Sequence, residues 1–122
     1  MTNSKSPSFP EQQEIVWVDF QPSKHNELRG RHPAVVLSTK GFSQITGQVA
    51  VSPITHATSN HLKSFFVPIS NNAQIQGYVN PLQFHTFSLL GRHITSTKTF
   101  LDDAAFMKVI RTHAQILNIY DK

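Results

Sequence analysis

Between Gln21 and Pro33 the chain carries Lys24, His25, Glu27, Arg29, Arg31 and His32. Histidine takes or gives a proton near neutral pH. Arginine offers a planar fork that grips phosphate at two points. The loop therefore has the side chains to hold an anion and to move protons beside it. The same composition also suits a plain solvated turn, because most charged loops only face water.

A loop can act chemically only if rigid elements fix its ends. Here two apolar runs do so, Glu14–Phe20 (EIVWVDF) and about Pro33–Ser38 (PAVVLS). Both are rich in β-branched or aromatic residues and are expected to be strands. Thr39–Gly47 holds two glycines and reads as a turn or short helical excursion. Gln48–Ile54 is expected as a third strand and His61–Ile69 as a fourth, with Pro68 marking an edge or an end. Gly77–Pro81 begins another strand that Leu82–Leu90 continues, until Gly91 breaks it. Arg92–Lys98 is a polar connection with room for a short strand. The clearest helix starts at Thr99, where T-F-L-D places Asp102 as a capping-box partner. Phe106, Val109, Ile110, His113, Ile116, Leu117 and Tyr120 recur at helical spacing and are read as a core-facing stripe. The fold class expected is mainly β with α, a small SH3-like or CcdB-like barrel closed by a C-terminal helix. Eight phenylalanines and Trp17, read as buried in strand one, would supply its core.

A chain of 122 residues makes one domain, placed at residues 14–121. Residues 1–13, with two prolines and three serines, read as a flexible tail. Cysteine is absent, so thiolate chemistry and disulfides are excluded. No apolar run reaches the roughly 18 residues of a membrane span, and no signal peptide is visible, so a cytoplasmic protein is expected. The net charge is +4 and the isoelectric point about 9.7, which favours an anionic partner. No H-x-x-x-H or H-E-x-x-H spacing occurs among the seven histidines, so neither a metal nor a cofactor is expected.

Four segments in order resemble one family. EIVWVDF, QPSKHNE and GRHPAVVLS resemble the opening strand, the D-P-x-x-G-x-E loop and the G-x-R-P strand of PemK/MazF/Kid toxins. VSPITHAT resembles that family's V-P-[CV]-T-[ST] strand end, and LQFHTFS its D-Q-x-[RK]-[ST]-[IL]-D segment. The last twenty residues resemble its terminal helix, so the likeness spans about residues 14–119. It implies the toxin half of a type II toxin–antitoxin pair, acting as a metal-independent endoribonuclease on single-stranded RNA. It also implies a homodimer and a cognate antitoxin whose disordered, acidic C-terminal segment blocks the site.

Cleaving RNA without a metal requires a base for the ribose 2′-hydroxyl, stabilisation of the phosphate charge and an acid for the leaving 5′-oxygen. The family's usual catalytic pair is the arginine of G-x-R-P and the threonine after the third strand. Carried over, the threonine is Thr55 and the arginine position holds His32, with Arg31 just before it. The order is R-H-P where the family has H-R-P. Neighbours on an extended segment point to opposite faces. Either His32 takes the catalytic place, or Arg31 reaches in, or the site is inactive. Glu27 aligns with a family glutamate that would orient a base or the loop. Lys24, Arg29, His56, Gln83 and His85 are the candidate substrate-binding residues. Near residue 80 the family's arginine and aspartate are replaced by Asn80 and Leu82, which points any proton transfer toward histidine: His32 with His85 or His56. Each candidate has a plain structural counterpart: a packed histidine, a strand-end threonine, a solvated carboxylate. His25, His61, His93 and His113 are read as surface or packing residues.

Two other functions compete. A barrel that keeps the RNA or antitoxin surface but has lost cleavage would also carry R-H-P. A CcdB-like topoisomerase poison would share the fold and needs an exposed aromatic near the chain end, where Tyr120 is available.

Overall fold

A computed structural model of the chain describes residues 9–20, 30–56, 61–70, 72 and 74–118. Lys24, His25, Glu27, Arg29, the start of the expected tail (residues 1–8) and Tyr120 lie outside the described residues.

The centre is an antiparallel trio. Strand β1 (Glu14–Asp19) pairs with β2 (Arg31–Val36), setting Trp17 opposite Pro33, Val18 opposite His32 and Asp19 opposite Arg31. The Phe20 N–H donates to the Gly30 carbonyl at 2.9 Å, so the two strands are clamped where the basic loop leaves them. Helix α1 (Lys40–Thr46) follows, started by Thr39, whose hydroxyl accepts from the Phe42 N–H, and stopped at Gly47 with a φ of +72°. Strand β3 (Gln48–Thr55) returns against β2, pairing Ala34 with Pro53 and Val36 with Val51. Strands β4 (Val67–Pro68), β5 (Tyr78–Val79), β6 (His85–Ser88) and β7 (Thr95–Phe100) complete the sheet in the order β4-β5-β3-β2-β1-β7, with β6 on β3. Helix α2 (Asp103–Leu117) closes it. The result is a curled antiparallel half-barrel with a C-terminal helix, the class expected.

Alternation along the strands buries both faces. Ile15, Val35, Ile54 and Val79 pack with Phe106 and Val109 of α2. Val16, Val18, Phe20, Ala34, Val36, Val49, Val51 and Phe87 pack on the opposite face. Each buried Val or Ile contributes roughly 1.5–3 kcal/mol relative to exposure.

Several expectations need correction. The fourth strand is mostly a 3-10 turn at Lys63–Phe65, followed by the two residues of β4. The turn closes locally through Phe65 N–H to the Leu62 carbonyl and Phe66 N–H to the Lys63 carbonyl, and Pro68 has no donor to extend a ladder. The strand expected across residues 77–90 is split into β5 and β6, because Asn80 turns the chain and accepts the Leu82 N–H on its side chain. The polar connection after Gly91 becomes the full strand β7. Thr99 does not begin α2. It lies in β7 opposite Ile15, and Asp102 itself caps the helix by accepting the Ala105 N–H at 2.7 Å.

The core is built mainly of valine and isoleucine. Phe20, Phe66, Phe87 and Phe106 are buried, but Phe42, Phe65, Phe84 and Phe100 are exposed. On α2 the inward stripe ends early: Ala105, Phe106 and Val109 are buried, while Ile116 and Leu117 are about half exposed. Trp17 is only half-buried. Residues 9–13, placed in the tail by the sequence reading, are tied to the sheet. The Gln13 N–H donates to the Val36 carbonyl, its side-chain amide to the Leu101 carbonyl, and Pro10 is buried.

Candidate active site

The β2–β3 ladder stops at Ala34 and Pro53. Pro33 and Pro53 cannot donate, so the two strands lose ladder hydrogen bonds at this end. Two positions further along the same register stand His32 on β2 and Thr55 on β3. By alternation both lie on the face that carries Ala34, Val51 and Phe20. His32 is half-buried and meets the Phe20 ring edge-on, with centroids 6.0 Å apart.

A second histidine reaches the same ring. His85 on β6 sits opposite Val51, meets Phe20 edge-on at 5.5 Å and stacks flat on Phe87 at 5.6 Å. The Arg92 guanidinium covers Phe87, 4.5 Å above its centroid. Phe20 is thus a buried spacer flanked by two imidazoles, with a cation behind its neighbour. The span between the imidazoles is no more than those two Phe20 distances laid end to end.

Arg31 points away from this pair. Its Nη1 donates to the His93 carbonyl at 3.1 Å and its Nη2 to the Thr95 hydroxyl at 2.6 Å. Because β7 flanks β1 on the side away from β2, the guanidinium reaches across β1 to make these bonds. The R-H-P order has a direct geometric consequence: the imidazole shares the face of Thr55, and the guanidinium is held on the other.

Both residues border a cleft of about 460 Å³ whose walls include Trp17, Pro33, Ile54, Thr55 and His56. The run Gln74–Gln76 also lines it. Asn72 shapes that run by accepting the N–H groups of Gln74 and Ile75, both at 2.9 Å. Gly77 then brings the chain against Thr55. Its φ is +127°, and a Cβ there would stand 2.6 Å from the Thr55 carbonyl oxygen. Only glycine fits.

The remaining candidates divide. His56 lines the cleft. Gln83 has an exposed side chain and does not line it; its carbonyl accepts from the buried Ser52 hydroxyl at 2.7 Å. Lys24, Arg29 and Glu27 fall outside the described residues. His113, read as a packing residue, braces the site from behind: its Nε2 lies 3.3 Å from the Ser52 hydroxyl, and its ring is edge-on to Phe84 at 5.0 Å. Burial lowers its pKa from the ordinary value, against a smaller upward pull from a backbone hydrogen bond at Pro81. Sequence reasoning missed Trp17, Gln74 and Gln76 as parts of the cleft, and Gly77 as the close contact on Thr55. The glycine beside Tyr78 was the one visible signal, since a glycine at a strand start often marks a close backbone approach.

The described residues form a small antiparallel half-barrel with a C-terminal helix and carry a histidine and a threonine at the parting of two strands. The chain matches, over residues 11–117, the family described as PemK-like, MazF-like toxin of type II toxin-antitoxin system, and it belongs to that family. The endoribonuclease toxin MazF of Escherichia coli strain K12 is 41% identical over 46 residues, which are 38% of this chain and 41% of that protein. The chain thus aligns with about two fifths of the length of the curated relatives it matches. Among solved structures, MazF from Deinococcus radiodurans has a TM-score of 0.82 at 21% identity, covering 93% of this chain and 100% of that one. An endoribonuclease from a mycobacterial species, solved in complex with its cognate antitoxin, has a TM-score of 0.71 at 16% identity, covering 95% and 100%. These structures share the fold.

Proposed function

We propose that this toxin is an endoribonuclease that cleaves single-stranded RNA by transesterification at the parting of β2 and β3. The observation that carries the reading is the placement of His32 in register with Thr55, on the face where His85 also meets Phe20. One imidazole takes the proton from the ribose 2′-hydroxyl. The 2′-oxygen forms a bond to phosphorus as the bond from phosphorus to the 5′-oxygen breaks. The other imidazole gives a proton to the departing 5′-oxygen. The products are a 2′,3′-cyclic phosphate and a 5′-hydroxyl, and the two histidines end with their protons exchanged. The Thr55 hydroxyl donates to a non-bridging phosphate oxygen as charge builds there, which is the interaction that favours the transition state. Arg31 keeps guanidinium donors beyond the two it uses and adds positive charge at the cleft wall. Lys24, Arg29 and Glu27 of the basic loop, with Gln83 and His56, are the further contacts on this reading.

The E. coli relative is named an endoribonuclease toxin, and a mycobacterial relative was solved with its antitoxin. For this chain of net charge +4 the same partners follow: RNA, and an antitoxin with an acidic segment that competes for the cleft. A homodimer in the cytoplasm, acting on messenger RNA to arrest growth, completes the proposal.

The test is incubation of the purified protein with a long unstructured RNA in EDTA, followed by mapping of fragment 5′ ends. Discrete cuts with 5′-hydroxyl ends are expected. A silent binding module is the second reading, and the tethering of Arg31 to His93 and Thr95 favours it, because those two bonds hold its guanidinium toward β7 rather than toward the His32 face. An intact RNA from folded, antitoxin-free protein would select that reading.

A further inference from the structure

We infer that Trp17 is the floor of a nucleobase subsite, with Gln74 and Gln76 reading the polar edge of one unpaired base. The inference rests on RNA being the occupant of the cleft, as proposed above.

Trp17 lies on β1 opposite Pro33, yet it is only half-buried where its neighbours Val16 and Val18 are sealed. β1 is paired on both sides, by β2 and β7, and Trp17 still keeps part of its indole open. Here its open part faces the 460 Å³ cleft, a volume in the range of small-ligand sites. The lining also includes the apolar Pro33, Ile54 and Ile75. The same cleft is lined by Gln74 and Gln76. Ile75 is buried and anchors its run, and Gln74 and Gln76 on either side of it are exposed. The run is held rigid by Asn72 and by the Ile69 N–H donating to the Gly77 carbonyl at 3.0 Å. Neither glutamine amide is engaged in a hydrogen bond among the described residues. A rigid backbone that presents two unengaged amides to the same cleft as a half-buried indole suits a flat ligand with donors and acceptors on its rim. Arg31 and His32 border the same cleft, so the ligand also carries an anionic group close to the ring. A nucleobase on a phosphodiester chain has both. Stacking on an aromatic face supplies affinity for any base, and an amide pair discriminates between edges.

Trp17 is the only tryptophan in the chain, which makes the test direct. Short 2′-deoxy oligonucleotides, which lack the attacking hydroxyl, are titrated while tryptophan fluorescence and anisotropy of an end label are followed together. Binding with quenching is expected for oligonucleotides of random sequence, and loss of quenching for an abasic oligomer of equal charge. Trp17→Leu should weaken binding by roughly 5- to 150-fold. Gln76→Ala, an exposed change that leaves the core intact, should relax base preference at one position of the mapped cut sites. Quenching without any RNA cleavage would sustain the subsite and defeat the nuclease reading. Cleavage with unchanged fluorescence and unchanged cut-site preference in Gln76→Ala would overturn the subsite and leave the nuclease reading intact. Absence of both binding and cleavage would overturn both.

Discussion

Gly77→Ala is the sharpest probe of the cleft, because its effect is set by one measured distance. A Cβ built on Gly77 stands 2.6 Å from the Thr55 carbonyl oxygen and 3.3 Å from the same residue's carbonyl carbon, where ordinary contact begins near 3.4 Å. The obstacle is backbone, so no side chain can rotate away. Relief requires a shift of about 0.8 Å between the Gly77 run and the end of β3. A residue forced to hold this φ also carries strain of roughly 1–3 kcal/mol. Strain and displaced packing together should cost about 3 kcal/mol, which lowers the melting temperature by roughly 10–15 °C for a domain of this size. Moving Thr55 by such a distance should reduce cleavage about 10²-fold at temperatures where the variant stays folded. Gly47→Ala is the control. Its φ is +72° and nothing lies within 4 Å, so it should lose only about 1–2 kcal/mol, with cleavage unchanged. Calorimetry and single-turnover cleavage of a labelled RNA read both effects. A Gly77→Ala protein that melts and cleaves like Gly47→Ala would refute the argument that Thr55 is placed by this contact.

Three further outcomes are expected. His32→Ala should lower cleavage by about 10²-fold or more while circular dichroism and antitoxin binding persist, and an unchanged rate would remove His32 from the chemistry. Arg31→Ala should flatten the salt dependence of RNA binding by a slope of roughly 0.7, the share of one phosphate contact on a single strand. Its loss of stability should stay near 1 kcal/mol or below, because the bonds to His93 and Thr95 are at an exposed side chain. His113 has a folded pKa below its ordinary 6.5, chiefly through burial, so the unfolded chain binds its proton more readily. Its contribution to stability is therefore complete above about pH 6.5 and is lost as pH falls below that value. Melting temperatures from pH 7.5 to 5.5 should decline less steeply in His113→Gln than in the parent. Parallel curves would show that His113 does not titrate with unfolding.

Much of the architecture was legible from local pattern. β1, β2 and β3 lie within two residues of their expected positions, since runs such as IVWV and AVV suit only a pleated, two-sided burial. The elements after Ile54 were less legible. Their strands are two to six residues long, shorter than the window over which alternation is informative, and the pairing of β5 and β6 with β3 and of β7 with β1 is a long-range fact. The helix start was misplaced by a few residues because Thr99 and Asp102 both suit a cap. Pairing of Thr99 with Ile15 in β7 decided between them.

The amino-acid sequence by itself determined the family, the half-barrel with its terminal helix, the basic charge and the R-H-P transposition. These are properties of residue order, and period-two alternation already dictated that Arg31 and His32 would face opposite ways. Which of the two would face Thr55 was a matter of register across β2 and β3, fixed by backbone pairing between residues far apart in the chain. The same holds for the anchoring of Arg31 across β1, the gathering of His32 and His85 around Phe20, and the cleft onto which the half-buried Trp17 opens. Side-chain chemistry is written locally, but the distances that turn it into a site come from non-local pairing.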